Sequence, residues 1–343
     1  MAMSTFQRRV LILGVCIAVL AGTYVLGLVF SPARVGRREA EAPLIAGFER
    51  RQRERVAEIR IQTGEGDRTL VKKGDSWILP GAEQEYPASV TRIDALLDFI
   101  ADLARKRVVT GNPEAWEEFQ VDSEAGNRIL LLDAAGDELT EIIVGKSAAG
   151  GEDNYVRLGG TNETILTNRS FGYYLNVEER FWAYLRILPE DLDGESIMRI
   201  TVDSSLRFGS ADRDSDTPRY TLVLSSGQPA VWTIAGRSEI ELDNGKVDLM
   251  ADNLADLEGS EFAHGVGAEE SGLSAPAARI LFSTVDGKDY RLLIGGEAGD
   301  EQYYAALEDG KYVYKVAQWR VKAILKNIED LRAEKAADTQ QEQ

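Results

Sequence analysis

Apolar positions fall into one long block followed by two trains of short runs. The block, Val10–Phe30, contains no charged side chain. At about 1.5 Å rise each, roughly twenty apolar residues cross a hydrocarbon core of about 30 Å. The block therefore predicts a transmembrane helix over residues 10–30. Arg8 and Arg9 precede it, and Arg34, Arg37 and Arg38 follow it.

The two trains resemble each other. Val56, Ile59 and Ile61 begin one strand, and Ile197, Ile200 and Val202 begin another. Further strands are predicted at Thr69–Val71 and Ser76–Leu79, then at Tyr220–Leu224 and Val231–Ile234. Trp77 and Trp232 hold like places in these hairpins, where a large aromatic ring closes a core. Each Trp segment leads to a helical stripe: Val90, Ile93, Leu97, Ile100 and Leu103 in the first train, Val247, Met250, Leu254 and Leu257 in the second. Ile129–Leu132 then matches Ile280–Phe282, and Ile142–Gly145 matches Leu292–Gly295. Asn154–Arg157 is aligned with Gln302–Ala305, and Thr164–Thr167 with Tyr312–Lys315. Helices are expected over Phe171–Leu188 and Val316–Leu331. An offset held near about 150 residues through so many segments indicates an internal duplication.

The predicted fold class is α+β: one N-terminal transmembrane helix, then two tandem duplicated modules of mostly antiparallel strands with packed helices. The expected organisation is a cytoplasmic tail at 1–9, the transmembrane helix at 10–30 and a juxtamembrane linker at 31–50. The first module follows at 51–190, the second at 195–332, and a disordered tail at 333–343. The boundary is expected near Pro189–Gly194.

Three readings fit the apolar block. As an anchor it has the right length. A cleaved signal peptide would use Ser31-Pro32-Ala33 as its small-x-small site, but secretory apolar regions run only about 7–15 residues. A lipoprotein signal would use Leu13 and Cys16, but Val15 is large where a small residue is wanted. The anchor fits best. Both flanks are basic, so the positive-inside rule does not orient it. The short N-terminal tail favours a cytoplasmic N-terminus, a bacterial inner membrane location and a periplasmic or extracellular body.

Charge narrows the partners. The chain has 343 residues and a net charge of −18. Residues 1–38 hold five arginines and no acid, so the remainder is more acidic still. Such a body repels phosphate backbones, and no nucleic-acid partner is expected. The one cysteine, Cys16, lies inside the block, so no disulfide braces the body.

Four stretches carry a family resemblance: Val56-Ala57-Glu58-Ile59-Arg60-Ile61, the Gly74-Asp75-Ser76-Trp77 turn and strand, Gly272-Leu273-Ser274-Ala275-Pro276, and the apolar strand ending at Gly145 followed by the Tyr155 strand. By the order of these stretches along the chain, over about residues 50–330, the sequence resembles the DUF4340 family, a domain of unknown function. The first half departs from the pattern, with Phe119-Gln120-Val121-Asp122 where Gly-Leu-Ser-x-Pro would fall. Members of that family are often found beside gliding-motility-type ABC transport systems. The resemblance implies an accessory role with such a transporter, a permease among the partners, and no catalytic residues to carry over.

Little else in the sequence points to chemistry. His264 is the single histidine, which leaves no soft or nitrogen ligand set for a metal. No Gly-x-Ser-x-Gly elbow and no phosphate-binding loop occurs; Gly64-Glu65-Gly66 lacks the third glycine. Asp212, Asp214 and Asp216 alternate as in a calcium loop, but Thr217 and Val223 stand where that loop needs Gly and Glu. Asp191–Glu195 is too short for such a loop. Asn162 and Asn168 open glycosylation sequons, relevant only in a eukaryotic secretory pathway. Glu49–Arg55 is charge-dense and reads as a solvated linker or a docking strip. No catalytic, cofactor or metal residue is therefore expected. The expected role is a non-enzymatic accessory or binding subunit of an ABC-type transport complex. The alternatives are a ligand-binding or scaffolding envelope module and a carboxylate-based envelope hydrolase.

Overall fold

The computed structural model describes residues 43–48, 50–206, 208, 218–299 and 301–333. Val10–Phe30 with its arginine flanks, Cys16 and the Asp212–Asp216 run lie outside them. Among the described residues no helix is long and apolar enough to cross a membrane.

The chain begins with helix α1 (Arg50–Arg55), followed by β1 (Val56–Thr63), β2 (Gly66–Lys73), β3 (Ser76–Leu79) and the short β4 (Tyr86–Pro87). Next come α2 (Val90–Ala101), β5 (Arg105–Thr110), α3 (Trp116–Phe119) and β6 (Asn127–Asp133). The first half closes with β7 (Glu138–Ser147), β8 (Asn154–Leu158), β9 (Thr164–Thr167) and α4 (Glu179–Trp182). The second half runs β10 (Ile197–Ser204), β11 (Arg219–Leu224), β12 (Trp232–Ile234), α5 (Asn244–Ala255), β13 (Glu261–Phe262), β14 (Ala278–Thr284) and β15 (Asp289–Glu297). It ends with β16 (Gln302–Leu307), β17 (Tyr314–Ala317), α6 (Gln318–Ile324) and α7 (Ile328–Leu331).

Two compact units result. The first comprises the described chain up to Pro80 together with Ala88–Trp182; the second comprises Gly81–Pro87 and the chain from Ala183 onward. Within the first, strands are ordered β3-β2-β1-β6-β7-β8-β9-β5; within the second, β12-β11-β10-β14-β15-β16-β17-β13. The strand pairs described in both sheets are antiparallel. The fold is thus α+β, and the two orders are the same element for element.

The pairing explains the sequence spacing. A bulge between Val56 and Glu58 shifts β1, so Val56, Ile59 and Ile61 are all buried despite unequal spacing. A bulge between Ile197 and Arg199 does the same for Ile197, Ile200 and Val202. Lys72 faces Trp77, and Leu224 faces Trp232. Both rings are buried, and the two tryptophans hold equivalent register positions in the two sheets. Helix α2 is capped by Ser89 and buries Ile93, Leu96, Leu97, Phe99 and Ile100. Helix α5 is capped by Asp243 and buries Val247, Met250, Ala251, Leu254 and Ala255.

Several expectations are corrected. Val90 is 46% exposed, because it follows the N-cap directly and precedes the buried stripe; Leu96 completes that stripe instead. Ser147 pairs with Asn154 and Glu297 with Tyr303, so Asn154 corresponds to Tyr303, one residue beyond the sequence alignment. Burial agrees: Asn154–Leu158 and Tyr303–Leu307 share one pattern of buried and half-buried positions. The same shift carries into β9 and β17, where Ile165 corresponds to Tyr314. Phe171–Leu188 is helical only at α4. Upstream, turns and Asn176 satisfy the backbone: Asn176 Oδ1 accepts the Glu178 N–H, and its carbonyl accepts the Trp182 indole. Val316 and Ala317 belong to β17, and Asn327 caps a second short helix after α6. Leu44 and Phe48, read as linker, are buried. Ala333, read as tail, donates its N–H to Glu241 O.

Candidate functional site

The polar face of the first sheet holds its one buried arginine. Cross-strand pairing puts Arg128, Ile143 and Arg157 in one row. The loop carrying α3 crosses this row, because Gly145 lets it come close. A Cβ on Gly145 would run into Phe119 O and would sit 2.8 Å from Val121 Cγ1. Gln120 adopts a left-handed conformation (φ 56°), and Val121 becomes fully buried.

Arg157 fastens this loop. Its Nε donates to Val121 O at 3.0 Å, and its guanidinium lies 3.9 Å from the Trp116 ring centroid. The Trp116 indole in turn donates to Asn162 O. Asp122 Oδ1 accepts the Glu124 and Ala125 N–H groups at 2.7 and 2.8 Å. These amides, Ala125 first, hold the Asp122 carboxyl below the usual carboxylate range. Burial lowers the Arg157 pKa, opposed by the nearby Glu141 carboxylate.

The second unit builds the same loop without the arginine. Gly272 (φ 71°) takes the left-handed position, and a Cβ on Gly295 would run into Ser271 O. So Phe119-Gln120-Val121 does occupy the place of Ser271-Gly272-Leu273, with Gln120 in the glycine conformation. Ala306 stands where Arg157 would be.

Two open grooves of about 500 and 510 Å³ lie in the first unit. The first is lined by Thr63, Glu65, Asn127, Leu175, Asn176 and Glu178. Thr63 Oγ1 donates to Gly66 O and accepts the Glu65 N–H, and Asn176 Oδ1 accepts the Glu178 N–H, so Asn127 and the Glu65 and Glu178 carboxylates are the lining's other polar groups. The second groove lies where α1 enters the sheet, beside Arg55, Lys72 and Asp133. Arg55 bonds Asp133 at 2.8 Å and holds its carboxyl low. The Asp286 carboxyl is held at about 2, chiefly by the Thr284 hydroxyl and Lys288. A carboxyl acting as general acid would need the opposite shift.

The sequence candidates are dispersed. His264 lies in an exposed turn of the second unit, its ring edge-on to Tyr86 at 4.6 Å. Asp193 caps a short 3₁₀ turn by accepting the Ser196 N–H at 2.7 Å. Asn168 Oδ1 accepts the Ala104 N–H. Arg53, from the charge-dense strip, pairs with Asp94 and Asp98 on α2. Among the described residues no group of three or more His, Cys, Asp or Glu converges as a metal site. Sequence reading missed Arg157 and Trp116. The signal was an arginine between apolar Val156 and Leu158 where the repeat has alanine.

The sequence matches the family described as Domain of unknown function (DUF4340) over residues 77–230 and 232–343. The two matched segments open at the equivalent tryptophans, Trp77 and Trp232. A protein of Treponema pallidum (strain Nichols), described as an uncharacterized protein, is 23% identical over 120 residues. That alignment covers 35% of this chain and 38% of the relative, well under half of its length. No solved structure matches.

Proposed function

The chain belongs to the DUF4340 family, and from that premise we propose that it is a non-enzymatic, membrane-anchored envelope protein. It serves as an accessory or binding subunit of an ABC-type transport complex. Val10–Phe30 holds it in the bacterial inner membrane with its body periplasmic or extracellular, and a permease is its membrane partner. The observation that carries this reading is the pairing of one apolar block with two units of equal strand order. A duplicated body behind a single anchor suits recognition of neighbouring membrane proteins. Affinity purification of the full chain from detergent-solubilised membranes tests it. Recovery of a permease with its ATPase supports the role, and repeated recovery of the chain alone overturns it.

A second reading, a ligand-binding or scaffolding envelope module without a transporter, is favoured by the groove at Thr63, Asn127 and Asn176. Under that reading a small polar ligand or peptide raises the unfolding temperature of the full chain, and a Leu175→Arg substitution in the groove abolishes the shift.

A further inference from the structure

One surface of the second unit runs against the charge of the whole chain. Residues 311–326 contain Lys311, Lys315, Arg320, Lys322 and Lys326 and no acid, within a chain of net charge −18. Glu261 pairs with Lys315 at 2.7 Å, and Glu258 pairs with Arg320 at 3.1 Å. Among the described residues, Lys311, Lys322 and Lys326 have no carboxylate within ion-pair distance. Lys311 lies over the Tyr312 ring and Lys322 over the Phe208 ring.

The same stretch carries the most exposed aromatic ring of the second unit. Trp319, on α6, is 63% exposed, and Arg320 lies 4.8 Å from its ring centroid. Helix α6 buries Val321 and Ile324 on its inner side, which leaves Trp319 and Lys322, one turn apart, facing out. An exposed indole beside uncompensated lysines matches the membrane interface. There the ring sits among headgroups, and the cations meet lipid phosphates.

We propose that the surface formed by Trp319, Lys322 and Lys326, on and just after α6, docks on an anionic lipid bilayer. The inference extends the membrane-anchored reading above: a body tethered by Val10–Phe30 has a bilayer within reach, and this patch gives an otherwise acidic body a face able to rest on it. Charge complementarity selects anionic over zwitterionic lipid.

The chain supplies its own probe. It has five tryptophans and none in the apolar block. Trp77, Trp182 and Trp232 are buried, and Trp116 is half-buried beneath Arg157. The full chain is reconstituted into vesicles of acyl-brominated phosphatidylcholine, with or without one part in three phosphatidylglycerol. Tryptophan quenching is read at low and high salt, and retention is read after an alkaline carbonate wash.

The expected result is quenching in the anionic vesicles, removed by Trp319→Phe. It falls by more than about half in a Lys322→Gln/Lys326→Gln variant, and high salt suppresses it. Retention with no difference between wild type and Trp319→Phe overturns the patch and leaves the anchor standing. Salt-sensitive quenching of Trp319 with loss on carbonate washing overturns the anchor and keeps the patch. Equal quenching in zwitterionic and anionic vesicles overturns the charge argument. The variants alter exposed side chains, and unchanged unfolding temperatures establish that they fold.

Discussion

Adding a methyl group to Gly145 or Gly295 tests the equivalence of the two units. In each unit the glycine lies in the strand beneath a loop whose carbonyl presses against it. The new Cβ at Gly145 would strike Phe119 O and would also lie 3.0 Å from Gln120 O. At Gly295 it would strike Ser271 O and lie 3.2 Å from Ser271 C. Each obstacle is backbone, so no rotamer change relieves it. Lifting the first loop strains the Arg157–Val121 bond and uncovers Val121; lifting the second strains the bond from Gly296 N–H to Ser271 O and uncovers Leu273. Overpacking costs about 1–3 kcal/mol, and a weakened buried hydrogen bond adds about 1 kcal/mol. Each Gly→Ala variant should therefore lose about 2–4 kcal/mol. At about 2–4 °C per kcal/mol, the affected transition falls by roughly 4–16 °C. Calorimetry of the purified full chain reads this. Two comparable losses uphold the equivalence. A change below about 1 °C at either position refutes the close approach there.

Three further outcomes follow from the same structure. Arg157→Ala should destabilise the first unit by about 2–3 kcal/mol in urea unfolding, because it strands Val121 O and uncovers the Trp116 face. Trp232→Phe should cost about 1 kcal/mol through loss of the indole bond to Asp248 (2.8 Å). Asp122 has a lowered folded pKa, so its contribution is full above its unfolded value of about 3.9 and is lost as pH falls through the lower folded value; Asp122→Asn should flatten that part of the stability profile between about pH 5 and pH 2, measured by urea midpoints.

Much of the architecture was legible because burial leaves a periodic trace. The Val-x-x-Ile-x-Ile spacing departs from strict alternation, and the bulge at Val56/Glu58 accounts for it. The repeat was readable because each unit reuses the same inward-facing positions. The edge strands β5 and β13 were not legible: Arg-Lys-Arg-Val-Val-Thr has no clean alternation, and β9 supplies the pairing that makes it a strand. The one-residue slip at Asn154 arose from matching Tyr155 to Tyr303 by residue type; facing partners place Tyr155 with Tyr304. The false helix over Phe171–Leu188 came from reading aromatic spacing without Asn176, whose side chain and carbonyl hold the turn. The Arg157 clamp depends on residues distant in sequence, Trp116 and Val121, which only the folded chain brings together.

The proposed role rests most directly on what accompanies the chain in its own membrane. Native mass spectrometry of the full chain, extracted in mild detergent without crosslinking, reads this in one step. The expected species is the 37.8 kDa chain in fixed stoichiometry with a permease and a nucleotide-hydrolysing subunit. A chain that leaves the membrane alone, or bound only to copies of itself, contradicts the accessory role.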